Sequence, residues 1–285
     1  MGEILYGTVF ANEIKQHIHD CLQEEYDKGN RRAKLAVLVA NNDPGSASYI
    51  RGIVKQSEKS NIDCMVENAE EGCTQEDLIR IIHKWNADDT IDGIMVQMPL
   101  PKGMDSQMIL DEIDPNKDMD GLQRENVTNL YFQKPGYLPC TPEGVMRLLS
   151  LSGIELKGKE AVVIGRSSSV GRPLAQLMIN AHATVTVCNS RTVNIQEVTK
   201  RAEILVCALG KARFVKEDMV KEDAIVIDIG VNMDEEGVMC GDTDFDNVLK
   251  KAKYVTPVVK GVGSMTTAIL LEHVMRSYMR RFHGV

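Results

Sequence analysis

The stretch Ala161-Val-Val-Ile-Gly165-Arg-Ser-Ser-Ser-Val-Gly171-Arg-Pro173 decides the fold. Four apolar residues run into a glycine turn, and a helix is expected from about Pro173 to Asn180. Pro173 suits an early helical position, where its missing N–H costs nothing. Strand, glycine turn and helix N-terminus together present free backbone N–H groups and the positive end of a helix dipole, as a pyrophosphate requires. Residues 184–188, 204–209, 224–229 and 254–256 supply further strands. The runs at 161–164, 184–188, 204–209 and 224–229 read as strands buried on both faces. Ala208-Leu-Gly210 and Asp228-Ile-Gly-Val231 end two of them at the carboxyl edge, where ligands bind. This half is expected to be α/β, a Rossmann-like doubly wound parallel sheet.

Upstream, β-rich runs at 35–40, 63–67 and 93–98 alternate with amphipathic windows at 46–60 and 74–86, a repeated βα pattern that also predicts a mainly parallel sheet. Residues 7–28 read as an amphipathic helix. After Pro99-Leu-Pro101 a helix is expected at 105–113, stopping at Pro115. Residues 115–142 are polar and turn-rich, and Thr141-Pro-Glu143 opens a second unit. A last helix at 266–282 can pack back on the first. The expectation is two α/β domains with a cleft between them: residues 1–120 plus 265–285, and residues 121–264.

Composition excludes several classes. The chain has 285 residues, 43% of them apolar, which suits two globular domains rather than disorder. With 33 basic and 41 acidic side chains the net charge is −8, no footprint for nucleic acid or an anionic membrane. No apolar run approaches the roughly 18 residues that would cross a bilayer, and no export leader or lipid-anchor motif stands at the start. Seven scattered cysteines argue against a disulfide framework or metal site and point to a reducing cytoplasm. The six histidines read as solvated or packed side chains, with no metal-type pair.

Five ordered motifs carry a resemblance: Val96-Gln-Met-Pro-Leu-Pro101, Pro115-Asn-Lys-Asp-Met-Asp-Gly121, Pro139-Cys-Thr-Pro142, the glycine turn itself, and Thr256-Pro-Val-Val-Lys-Gly-Val-Gly-Ser-Met-Thr266. Over essentially its whole length the chain resembles the methylenetetrahydrofolate dehydrogenase/methenyltetrahydrofolate cyclohydrolase family. The resemblance implies a folate-binding catalytic domain, a nicotinamide-dinucleotide domain and a homodimer. It implies hydride transfer from the methylene bridge of the folate to the nicotinamide, followed by attack of water on the methenyl carbon. It places Tyr49, Gln97 and Asp120 as catalytic residues, with Tyr49, Pro99, Asp120, Lys260, Gly261 and Gly263 against the substrate. On the dinucleotide it places Thr141, Gly165, Arg166, Ser167, Gly171, Pro173, Gly210, Ile229 and Gly230. A carboxylate at Asp120 can accept adjacent pterin N–H donors in a bidentate pair.

NADP is expected over NAD. A fold that selects NAD places an acid about 20 residues past the glycine turn, whereas here Cys188-Asn-Ser-Arg-Thr192 carries none and Ser190 and Arg191 can donate to a 2′-phosphate.

Two departures bear on the hydrolytic step. The family's lysine, four residues after its tyrosine, is Ile53 here; Arg51 and Lys55 face elsewhere at about 100° per residue. Val259, Lys260 and Ser264 stand where the family reads Pro, Gly and Pro. Hydrolysis of the methenyl compound is therefore expected to be weak or absent unless another base such as Lys260 serves. The alternatives are a dehydrogenase for another small substrate, or a ligand-binding protein without turnover. Asp120 speaks against the first and the full nucleotide site against the second.

Overall fold

The computed structural model describes residues 2–283. The chain begins β1 (Glu3–Ile4), α1 (Gly7–Asp27), β2 (Ala33–Val39), α2 (Pro44–Lys59), β3 (Ile62–Asn68), α3 (Gln75–Asn86), β4 (Gly93–Gln97), α4 (Ser106–Asp111), α5 (Arg124–Tyr131). It continues α6 (Cys140–Leu151), β5 (Glu160–Ile164), α7 (Gly171–Asn180), β6 (Thr184–Cys188), α8 (Ile195–Thr199), β7 (Ile204–Cys207), β8 (Ile225–Asp228), β9 (Asn232–Met233), β10 (Met239–Cys240), α9 (Phe245–Lys251), β11 (Tyr254–Val255), α10 (Val262–His283). Two compact units result: residues up to Ala11 with Thr141–Thr266, and Asn12–Cys140 with the chain from Thr267 onward.

The unit holding Asn12–Cys140 has three parallel strands in the order β3-β2-β4, with Val39 opposite Gln97. Because side chains alternate along a strand, Leu35, Val37 and Val39 of β2 join one core with Ile18, Leu22 and Ile53. Ala36 and Leu38 join another with Leu78, Ile82 and Trp85. Ile269, Leu270, Leu271, Val274 and Tyr278 of α10 complete the first core, so the final helix from Thr267 onward belongs to this unit.

The unit boundaries differ from those expected. Residues 121–140 stay with the first sheet, because the Asn126 side chain closes the segment: its Nδ2 donates to Asp118 Oδ2 (2.9 Å) and its Oδ1 accepts from Tyr137 N (3.1 Å). The segment also contains α5, which the turn-rich composition had concealed. The chain start moves the other way, since β1 pairs parallel with β11, Glu3 beside Tyr254 and Ile4 beside Val255.

The unit holding Thr141–Thr266 has six parallel strands in the order β1-β11-β8-β7-β5-β6. From β5 the chain goes outward to β6 and then returns to the other side as β7, so the topological switch point lies between β5 and β7. β5, β7 and β8 are buried on both faces as expected. β6 is not: it is the sheet edge, with Thr184 and Val187 exposed. The antiparallel pair β9–β10 was not anticipated. No helix among the described residues is long and apolar enough to cross a membrane.

Candidate active site

In the unit of the three-stranded sheet, α2 is started by Asp43, whose Oδ2 accepts from Ser46 N (2.7 Å) with Pro44 in the first turn. That fixes the helical face on which Tyr49 and Ile53 stand one turn apart. Tyr49 is half-buried, whereas Ile53 is completely buried in the core. Arg51 and Lys55 are exposed on other faces. Burial, the Asp120 charge and Cys140 raise the Tyr49 hydroxyl far above its ordinary range, opposed by a side-chain hydrogen bond with Thr267. The Tyr49 hydroxyl therefore stays protonated at neutral pH.

Gln97, at the carboxyl end of β4, donates through Nε2 to Met98 O (2.6 Å) and Ser46 Oγ (3.3 Å). The Met98 carbonyl fixes the amide orientation, since only the NH2 can face an acceptor. Its Oε1 is buried with no partner among the described residues, an acceptor left for a bound molecule or water. Pro99, exposed, follows a cis peptide bond.

Asp120 is set by the segment before it. Lys117 O accepts from Ile94 N (2.7 Å) and Met119 N donates to Ile94 O (3.2 Å), so residues 117–119 run beside β4. His273 Nδ1 donates to Met119 O (2.8 Å), and Cys140 Sγ lies 3.1 Å from the same oxygen. Burial, then the Asp118 charge, push the Asp120 carboxyl up to about 6, against the lowering effects of a Cys140 hydrogen bond and of His273. Tyr49, Asp120, Cys140 and Thr267 thus share one site. Sequence reading missed Ser46, Thr267 and His273 as supports; Cys140 alone had a signal, lying inside a quoted motif.

In the unit of the six-stranded sheet, the glycine turn lies at the switch point. Gly165 follows β5 with φ +127°, and a Cβ there would lie 2.1 Å from the Ala208 carbonyl oxygen beyond β7. A Cβ on Gly171 would lie 2.3 Å from Gly165 O. Only glycine fits either position. Ser167 Oγ accepts from Val170 N and Gly171 N (both 3.2 Å), which shapes the turn into α7, with Pro173 in its first turn. The amides of Arg166, Ser167, Ser168 and Ser169 donate to no group among the described residues. These residues fit a pyrophosphate-bearing cofactor on the turn's own geometry.

Gly210 (φ +66°) is exposed, and Ile229 and Gly230 follow β8. Arg166, Ser190 and Arg191 are exposed, and neither guanidinium has an acidic partner among the described residues. Asn189 N donates to Thr192 Oγ1 (2.9 Å) and Arg191 N to Asn189 Oδ1 (3.0 Å), closing the turn that presents Ser190 and Arg191. Thr141 Oγ1 lies 3.0 Å from Thr266 Oγ1.

Lys260 is exposed with φ +67°, a left-handed conformation at the position where the resemblance expects glycine. Its carbonyl accepts from Thr8 N (3.1 Å). Gly261 has no room for a Cβ, which would sit 2.0 Å from Pro257 O, whereas Gly263 borders open space. No cluster of three or more potential metal-ligating side chains occurs among the described residues.

Comparison with known proteins places the chain in a family. Residues 5–120 match the family model described as tetrahydrofolate dehydrogenase/cyclohydrolase, catalytic domain, and residues 139–282 match that of its NAD(P)-binding domain. The bifunctional protein FolD of Agathobacter rectalis is 40% identical over 280 residues, covering 98% of this chain and 100% of its own. The crystal structure of the bifunctional enzyme FolD, methylenetetrahydrofolate dehydrogenase/cyclohydrolase, from Campylobacter jejuni superposes with a TM-score of 0.95 at 40% identity, covering 99% of this chain and 100% of that one. The Trypanosoma brucei FolD structure, complexed with NADP cofactor and inhibitor, gives a TM-score of 0.94 at 31% identity, covering 99% of each chain.

Proposed function

The chain belongs to the tetrahydrofolate dehydrogenase/cyclohydrolase family, and from that premise we propose that it is an NADP-dependent methylenetetrahydrofolate dehydrogenase of one-carbon metabolism in which the hydrolytic half-reaction is weak or absent. The observation that carries this reading is Ile53, fully buried one helical turn from Tyr49, at the position where the resemblance expects a lysine.

Asp120, ionised, accepts two adjacent N–H groups of the pterin. Gln97 offers its unpartnered Oε1, and Tyr49 offers a hydroxyl that stays protonated at neutral pH. The free amides of residues 166–169 bind the pyrophosphate, while Arg166, Ser190 and Arg191 bind the 2′-phosphate that distinguishes NADP. Bound NADP supplies the hydride acceptor. Thr141, Gly171, Pro173, Gly210, Ile229 and Gly230 shape the dinucleotide side, and Pro99, Lys260, Gly261 and Gly263 the folate side. None of these roles requires a side chain to exchange a proton with the methenyl carbon, whereas water attack there needs a base, and Ile53 cannot be one. The folate-binding part is assigned to Asn12–Cys140 with the chain from Thr267 onward, and the dinucleotide-binding part to the residues up to Ala11 with Thr141–Thr266. The family resemblance supports a homodimer, and the seven free cysteines support a reducing cytoplasm.

One assay tests the reading. The protein is given methylenetetrahydrofolate with NADP or NAD, and reduced cofactor and methenyl absorbance are followed together. The expected result is reduction of NADP with methenyltetrahydrofolate accumulating in equal amount. Absence of reduction with either dinucleotide would refute it, as would prompt disappearance of the methenyl product beyond its spontaneous hydrolysis.

A further inference from the structure

Two buried carboxylates in the dinucleotide unit have no part in the roles above. Asp228, the last residue of β8, and Asp242, after β10, are 3% and 0% exposed. No cation pairs with either among the described residues, so their charges are balanced by hydrogen-bond donors alone. Asp228 Oδ1 accepts from Gly230 N (2.9 Å) and Asp242 N (3.0 Å). Its Oδ2 accepts from Thr243 N (2.8 Å) and Thr243 Oγ1 (2.6 Å). Asp242 in turn receives three consecutive amides, Leu209 N (2.6 Å) and Gly210 N (3.2 Å) on Oδ2 and Lys211 N (2.8 Å) on Oδ1, plus Asn232 Nδ2 (3.0 Å).

The arrangement is tight. A Cβ on Gly230 would lie 2.3 Å from Asp242 Cγ, and one on Gly241 would lie 2.1 Å from Asp228 Oδ2. Loops 208–211, 229–232 and 240–243 are thereby tied together at the carboxyl edge of the sheet. With all three amides of 209–211 turned onto Asp242, the backbone of that loop can offer a ligand only carbonyl oxygens. The Leu209 and Gly210 carbonyls accept no hydrogen bond among the described residues, and Ala208 O abuts Gly165 at the switch point.

We propose that Asp242 is a positioning residue for the dinucleotide: by gathering the amides of Leu209, Gly210 and Lys211 it aims the carbonyls of this loop at donor groups of the cofactor, its ribose hydroxyls or its carboxamide. Asp228 holds Asp242 in place. The inference rests on the dinucleotide reading of this unit, and the test separates the two.

Binding of NADPH to the whole protein is measured by fluorescence titration, beside folate binding and the melting temperature, for the wild type, Asp242→Asn and Asn232→Ala. In Asp242→Asn an NH2 replaces one acceptor oxygen and faces an amide N–H. The NADPH Kd should rise at least about tenfold, because hydrogen bonds to a charged group are lost. Folate affinity should change less than about twofold, and the KM for NADP should rise with kcat nearly kept. Asn232→Ala, which removes one donor at the loop rim, should weaken NADPH binding by a smaller factor with little effect on melting. A lowered melting temperature with unchanged NADPH affinity in Asp242→Asn would show a purely structural carboxylate and overturn the proposal. If that variant does not fold, unchanged NADPH affinity in Asn232→Ala overturns it instead. If the wild type itself binds no dinucleotide, the proposed function fails rather than this inference.

Discussion

His273 Nδ1 donates to the Met119 carbonyl oxygen across 2.8 Å, which ties α10 to the peptide immediately before Asp120. A residue far along the chain thus sets the backbone that carries the proposed pterin anchor, and Cys140, against the same carbonyl, contributes from a third segment.

The Asp120 carboxyl, pushed up from 3.8 to about 6 by burial and by Asp118, predicts a pH dependence. The folded state holds its proton more tightly than the unfolded state, so this group's contribution to stability is lost as pH rises from about 4 to about 6. Pterin binding runs the opposite way, because only the ionised form accepts two N–H groups. The kcat/KM for the folate should therefore rise with pH along a limb near 6. Asp120→Asn should abolish that limb and weaken folate binding by about 1.5–3 kcal/mol, while becoming relatively more stable than wild type above pH 6. A pH–rate profile of the two proteins, with urea melts at pH 5 and 7.5, checks each part.

Arg166 and Arg191 are exposed cations without acidic partners among the described residues, on two turns that follow β5 and β6. Arg191→Ala should raise the KM for NADP and leave that for NAD nearly unchanged, so the preference for NADP narrows by about tenfold or more. The double variant with Arg166→Ala should narrow it further. Comparing kcat/KM with both dinucleotides decides this; equal losses for NADP and NAD would remove the phosphate role.

Lys117 is almost fully buried, and its Nζ donates to the carbonyls of Trp85 (2.9 Å), Asn86 (2.8 Å) and Asp88 (2.8 Å) at the end of α3. A cation there meets the negative end of the helix and satisfies carbonyls that lack intrahelical partners. Lys117→Met should cost at least about 2 kcal/mol, since buried acceptors are left unpaired. It is read as a lower urea midpoint at unchanged slope.

Much of the fold is written in local patterns. Val162–Ile164, Ile204–Cys207 and Val226–Asp228 bury both faces, and a continuous apolar run is the direct signature of that. β1 has only two residues, too few for any period, and its pairing with Tyr254 and Val255 is non-local. α5 is short and polar, and it is held by Asn126, whose closing hydrogen bonds composition does not record. At the site, Tyr49 and Ile53 were readable through the resemblance, whose tyrosine and lysine stand four residues apart, a spacing that puts the two positions on one helical face. His273 was not: it meets Cys140, which lies inside a motif, across 133 residues of sequence. The same holds for Asp228 and Asp242, whose partners lie on three different loops.

Ile53 and Lys260 carry the sharpest prediction. General acid–base help is typically worth about 10² to 10⁴ in rate, and the buried Ile53 provides none. Ile53→Lys should raise methenyl hydrolysis by about 10²-fold or more, within that range, while hydride transfer changes little. It should also lower stability, because a cation enters a position now wholly inside the apolar core. Lys260 is the competing base. Its left-handed backbone, φ +67°, makes Lys260→Gly stabilising by about 0.5–1 kcal/mol, whatever its chemical role. Lys260→Ala separates the accounts: if Lys260 supplies the proton exchange, the alanine variant loses whatever hydrolysis the wild type shows, and its dehydrogenase rate stays. Here the expected outcome is no loss, because there is little to lose. Rapid hydrolysis by the wild type that survives Lys260→Ala would mean that a base other than these two acts on the methenyl carbon, and the assignment of a dehydrogenase without an efficient hydrolytic step would fall.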